Sequence, residues 1–92
     1  MIATKNKTYH YVDYKAMGAH LMQLREAKYG KRSRSEFVRI LNEHGNYRWD
    51  QSAYRKCELG IYELTLDRLC EVCMALGVYP TQVIMHCTYG NK

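Results

Sequence analysis

Trp49-Asp50-Gln51-Ser52-Ala53-Tyr54-Arg55-Lys56-Cys57-Glu58-Leu59-Gly60 reads as one short helix with both ends marked. Asp50 is a side-chain cap for the first free N–H groups, and Gly60 is a C-terminal stop. Ala53, Tyr54 and Cys57 recur at helical spacing and form an apolar face. Gln51, Ser52, Arg55 and Lys56 are left on the other face, which carries no apolar residue. Two cations beside an amide and a hydroxyl is the mix that reads base edges in a DNA major groove. Arg and Lys suit guanine, Gln suits adenine, and Ser serves either. A solvated face on a packed helix has the same pattern, so the decision rests on the sequence around it.

Outward from this stretch, the positive charge is concentrated. The 92 residues carry a formal charge of +5. Residues 28–56 hold eight cations (Lys28, Lys31, Arg32, Arg34, Arg39, Arg48, Arg55, Lys56) against Glu36, Glu43 and Asp50, which already equals the net charge of the chain. Residues 1–27 contribute +2 and residues 57–92 contribute −2. A basic block with near-neutral flanks suits a polyanionic partner. The length allows one core of four or five helices and no second domain. No apolar run approaches a membrane span, and residues 1–15 lack the apolar centre of a signal peptide, so the expected location is cytoplasmic. The four cysteines are then expected as reduced thiols.

The spacing predicts four more helices. Asp13 caps a first helix over 14–29, with Tyr14, Met17, Leu21, Leu24 and Lys28 at three-four intervals and Gly30 at its end. Gly18 is a weak point inside it, worth about 1 kcal/mol against Ala. Ser33-x-x-Glu36 has the form of a capping box before a second helix over 34–44, closed by Gly45. Trp49 sits just before the Asp50 cap, where a hydrophobic staple belongs. Thr65 caps a fourth helix with Leu66, Leu69, Cys70, Val72, Cys73 and Leu76 as a wide apolar stripe ending at Gly77, and Pro80 opens a fifth through His86. Residues 1–13 are expected as a short strand, an arm on the core, or a disordered tail that brings Lys5 and Lys7 near phosphate. Residues 14–86 form the domain, and residues 87–92 are a tail without pattern.

Short, capped second and third helices on a basic background are the plan of a helix-turn-helix protein. From Gly18 to Ile84, about two thirds of the chain, the sequence resembles the phage Cro and repressor class of helix-turn-helix domains, the XRE family. The resemblance lies in Leu21-Met22-Gln23-Leu24-Arg25-Glu26, Ser33-Arg34-Ser35-Glu36-Phe37-Val38, Tyr54-Arg55-Lys56-Cys57-Glu58-Leu59-Gly60 and Leu69-Cys70-Glu71-Val72-Cys73-Met74-Ala75-Leu76-Gly77-Val78. It implies an all-α, five-helix lambda-repressor-like fold and an ion pair between Arg25 and Glu58 that anchors the recognition helix. It departs from the family in about six extra residues between Leu41 and Trp49. Either the second helix runs longer, or Gly45-Asn46-Tyr47-Arg48 is an open loop.

The expected function is that of a sequence-specific DNA-binding regulator, a Cro-like repressor on a palindromic operator in double-stranded DNA. Gln51, Ser52, Arg55 and Lys56 are the expected base contacts. Lys31, Arg32, Ser33, Arg34 and Ser35, at a helix N-terminus, and Arg48, in the connector, are the expected phosphate contacts. One recognition helix reads only a few base pairs, so a homodimer is expected, meeting through the fifth helix and the tail or through the aromatic N-terminal segment. The alternative is an antitoxin-type module that binds a partner protein and also represses its own operon. Cys70-x-x-Cys73 with His86 and Cys87 has the count of a zinc site. Cys70 and Cys73 fall on the core stripe, however, where a small buried hydrophobe explains both. No metal, cofactor or small-molecule ligand is therefore expected. Phosphate loops, nucleophile elbows and paired carboxylates are lacking, so no enzyme activity is expected.

Overall fold

The computed structural model describes residues 12–88. Five α-helices follow in order: α1 (Tyr14–Tyr29), α2 (Arg34–His44), α3 (Gln51–Glu58), α4 (Leu66–Leu76) and α5 (Pro80–His86). No sheet occurs among the described residues, and the fold is all-α. A single antiparallel bridge joins Val12 to Thr88, and Asp13 N–H donates to the Cys87 carbonyl at 2.7 Å. Of the arm expected over residues 1–13 only Val12 and Asp13 are described, and residues 89–92 of the tail also lie outside. Cys87 is a core residue, 3 % exposed, so the helical domain extends through it.

Three of the helix starts are set by the residues expected to set them. Asp13, Asp50 and Thr65 each accept a hydrogen bond from the N–H three residues on, at 3.1, 3.1 and 3.3 Å. The connector between α2 and α3 is an open loop, since α2 ends at His44 and does not run longer.

The core gathers Met17 and Leu21 of α1, Phe37, Val38 and Leu41 of α2, Tyr54 and Cys57 of α3, and Leu69, Val72, Cys73 and Leu76 of α4, with Trp49, Leu64, Val83 and Cys87. A chain of aromatic rings crosses it. Tyr29 meets Phe37 at 5.5 Å, Phe37 meets Tyr54 at 5.5 Å, and Trp49 stands edge-on to Tyr54 at 5.8 Å, distances at which aromatic pairs attract. The last of these contacts is the staple across the start of α3. On α1 the buried stripe ends at Arg25, 1 % exposed, and not at Lys28, which is exposed.

Gly18 is a requirement of this packing. A Cβ there would stand 2.7 Å from the carbonyl carbon of Glu58, and closer still to the carbonyl oxygens of Cys57 and Glu58. The last turn of α3 therefore lies directly on the backbone of α1, which only a residue without a side chain permits.

Candidate nucleic-acid interface

α3 is short, so its orientation depends on what holds its two ends. At the first, Asp50 caps and Trp49 staples. At the second, Gly60 takes φ +78°, Gly60 N–H reaches the Cys57 carbonyl at 3.1 Å, and Ile61 N–H reaches the Lys56 carbonyl at 2.9 Å. These two bonds make a Schellman turn, which needs the left-handed conformation that glycine adopts without strain.

Glu58 fastens the same end to the rest of the fold. Its carboxylate takes Arg25 Nε at 2.7 Å and Nη2 at 3.1 Å, a forked pair with both side chains 1 % exposed. Arg34 Nε approaches the same carboxylate at 3.4 Å. The remaining Arg25 nitrogen, Nη1, donates to Ser33 Oγ at 2.8 Å, and that hydroxyl donates to the Gly30 carbonyl at 2.6 Å. Burial opposes the charge on Arg25, but the bond to Glu58 and its charge outweigh burial and raise the guanidinium above its ordinary range. One buried network thus ties α1, the entry to α2 and the end of α3.

That network corrects the capping-box expectation for Ser33. The capping box does not form, because the hydroxyl is held by Arg25 and Gly30 and makes no cap bond. Glu36 turns outward instead to Arg39, which also pairs with Glu43. Ser33 is 5 % exposed, so its side chain is not available to a phosphate. Ser35, Lys31 and Arg32 are exposed, and Arg34 is 35 % exposed at its side chain. They surround an N-terminus whose first N–H groups favour an anion.

On the outer face of α3, Gln51, Ser52 and Arg55 are exposed, whereas Tyr54, Cys57 and Glu58 are buried beneath. Lys56 is half-buried, with its ammonium 5.2 Å from the centroid of the Tyr62 ring. Three of the four candidate base contacts therefore share one open face, and the fourth leans toward the connector after the helix. Leu59, 45 % exposed, extends this surface with an apolar side chain that the expected polar face lacked.

The connector before α3 is held by residues that the sequence did not single out. Glu71 of α4 accepts from Asn46 N–H, from Tyr47 N–H at 3.1 Å and from Trp49 Nε1 at 3.0 Å. Asn42 of α2 brackets the Trp49 backbone, accepting from its N–H at 2.7 Å and donating to its carbonyl at 2.9 Å. The Arg68 guanidinium lies 4.7 Å from the centroids of both Tyr47 and Trp49 and donates to the Arg48 carbonyl at 3.3 Å. Tyr47 Oη donates to Asp67 at 3.0 Å. The extra residues are therefore clamped from α2 and α4, and Arg48 is exposed beside the α3 N-terminus. No local spacing pointed to Glu71. Its partners lie more than twenty residues away.

The cysteines do not converge. Cys57, Cys73 and Cys87 are buried and Cys70 is half-buried, and burial pushes the Cys73 thiol up to about 11. No group of three or more His, Cys, Asp or Glu side chains placed to hold a metal occurs among the described residues. His86 stacks instead on His20 of α1, with ring centroids 4.3 Å apart. No helix is long and apolar enough to cross a membrane among the described residues. No family model, curated protein or solved structure matches this chain.

Proposed function

We propose that this chain is a lambda-repressor-like helix-turn-helix protein that binds double-stranded DNA in a sequence-specific way. In this reading it is a small Cro-like repressor acting as a homodimer on a palindromic operator. The observation that carries the reading is the mounting of α3. Its inner face is fixed by the Arg25–Glu58 pair, the Asp50 cap and the Trp49–Tyr54 contact, while Gln51, Ser52 and Arg55 face solvent together. A rigid helix with hydrogen-bonding side chains on one open face can place them against base edges without first losing their backbone freedom.

The positions of the side chains support a division of labour. Gln51 and Ser52 are at the leading end of α3, and Arg55 is one turn further along. These three, with Lys56, are assigned to base edges. Lys31, Arg32, Arg34 and Ser35 are assigned to phosphates at the α2 N-terminus, and Arg48 to phosphate at the connector. The backbone contacts fix register, and the base contacts supply discrimination of about 1–3 kcal/mol for each well-formed pair.

Selection of bound sequences from random DNA tests the reading. A palindromic site with half-sites about one helical turn apart is the expected result. Binding without any enriched sequence, or no binding at low salt, would overturn it.

A further inference from the structure

The connector between α2 and α3 is where this chain departs from a tight turn, and its backbone is held at residues 46–49 in succession. One oxygen of the Glu71 carboxylate, Oε2, accepts from Asn46 N–H and from Tyr47 N–H at 3.1 Å. The Arg48 carbonyl takes Arg68 Nη1 at 3.3 Å, and Asn42 brackets the Trp49 backbone at 2.7 and 2.9 Å. The other Glu71 oxygen, Oε1, accepts from Trp49 Nε1 at 3.0 Å. Amid these ties the Arg48 side chain is exposed, and with Asn42 and Asn46 it lines a polar cleft. A loop fastened in this way, with a cation turned outward, has given up its backbone freedom before any partner arrives. We propose that Glu71 is a positioning residue for DNA binding, which touches no DNA and through the connector sets where the Arg48 guanidinium meets the phosphate backbone. This rests on the DNA-binding reading and adds to it a residue on α4, outside the helix-turn-helix.

The connector and the reading helix move as one piece. Trp49 is held by Glu71 and Asn42 on one side, and its ring stands against Tyr54 of α3 on the other. Arg48 therefore has a set place relative to Gln51 and Ser52 at the leading end of α3. A phosphate contact made from that place fixes the register in which the base contacts enter the groove.

Charge alone assigns Glu71 the opposite effect. A carboxylate repels the phosphate backbone, so its removal by itself strengthens binding to DNA. Glu71 favours binding only through its bonds to the connector. Both of its oxygens accept from N–H groups, Oε2 from the two backbone amides and Oε1 from the indole. A glutamine offers one acceptor oxygen and an NH2 group that cannot accept, so Glu71→Gln releases one side of the clamp whichever way the amide turns. The same change makes the chain more positive, and the two explanations predict shifts of opposite sign.

Fluorescence anisotropy of the full chain on a labelled mixed-sequence duplex of about 30 base pairs, roughly three helical turns, tests the proposal at several salt concentrations. A phosphate contact needs no particular sequence, so the operator is not required. Arg48→Ala is expected to weaken binding about three- to tenfold and to lower the slope of log K against log salt by about 0.9. Glu71→Gln is expected to weaken binding at least about threefold despite its added positive charge, and to cause no further loss in the Arg48→Ala background. Thermal melts establish that each variant is folded at the assay temperature. Asn42→Ala, which frees the Trp49 backbone without a change of charge, replaces Glu71→Gln if that variant is unfolded there, and the same outcomes apply to it. A clamp variant that binds as tightly as wild type, or more tightly, overturns the proposal. So does one that loses as much without Arg48 as with it, because its effect then does not pass through Arg48. Wild type that binds no duplex removes the DNA-binding reading and the proposal with it. The expected pattern on the mixed duplex, with no sequence enriched by selection, upholds the positioning role and removes the sequence-specific reading.

Discussion

Replacing Gly18 by Ala pits helix propensity against packing, and the structure decides the sign. In an isolated helix the change would stabilise by about 1 kcal/mol. Here the new methyl group would lie 2.7 Å from the Glu58 carbonyl carbon and nearer to two carbonyl oxygens. These are backbone atoms of the last turn of α3, so no rotamer change relieves the overlap. α1 and α3 must separate by roughly 1 Å, and an ordinary overpacked core position already loses about 1–3 kcal/mol. The same separation stretches the Arg25–Glu58 pair, which spans the two helices at 2.7 Å. We expect a net loss of about 2 kcal/mol, equivalent to a fall of roughly 8–16 °C in Tm for a domain of this size. Urea unfolding followed by circular dichroism, with an unchanged m-value, measures it. A Gly18→Ala protein as stable as wild type, or more so, would refute the close approach of the two helices.

Other consequences are as specific. Arg25→Met leaves Glu58 buried with only the 3.4 Å contact from Arg34, so unfolding experiments should show a loss of about 3–5 kcal/mol; Arg25→Met with Glu58→Met should recover most of it. Tyr54 Oη is fully buried without a well-formed hydrogen bond, and burial, then the charge and close approach of the Glu58 carboxylate, raise its pKa well above the usual phenol range. Tyr54→Phe should therefore leave stability unchanged or raise it by up to about 1 kcal/mol in the same urea assay, and a loss above that size would reveal a hydroxyl bond. Burial and then the neighbouring His86 lower the pKa of His20 below its ordinary 6.5. The unfolded chain then binds the proton more readily than the folded one, so stability is full above pH 6.5 and falls as the pH drops below it. Denaturant titrations at several pH values should show that fall, and His86→Asn should reduce it.

The helices were legible because their stop and start signals are local. Asp13, Asp50 and Thr65 cap the N–H three residues ahead, and the Trp49–Tyr54 staple spans five positions, so a short window of sequence contains the whole interaction. Ser33 defeated the same logic. Its hydroxyl had a local partner within reach in Glu36's turn, but a buried guanidinium eight residues back claimed it. Glu71 and Asn42 gave no signal, since their roles come from a loop that only the tertiary fold brings to them. Gly18 read as a defect because its reason is the backbone of another helix forty residues on. The candidate reading face was legible from spacing alone at Gln51, Ser52 and Arg55, whereas the lean of Lys56 toward Tyr62 depends on how the chain turns after Gly60.

Whether the open face of α3 reads sequence is decided by one titration. Wild type and the Arg55→Ala and Gln51→Ala variants are titrated with the selected operator and with random DNA at fixed salt. A base-reading role predicts that each variant loses about 1–3 kcal/mol on the operator and far less on random DNA. Equal losses on both DNAs would contradict it and leave α3 with phosphate contacts alone.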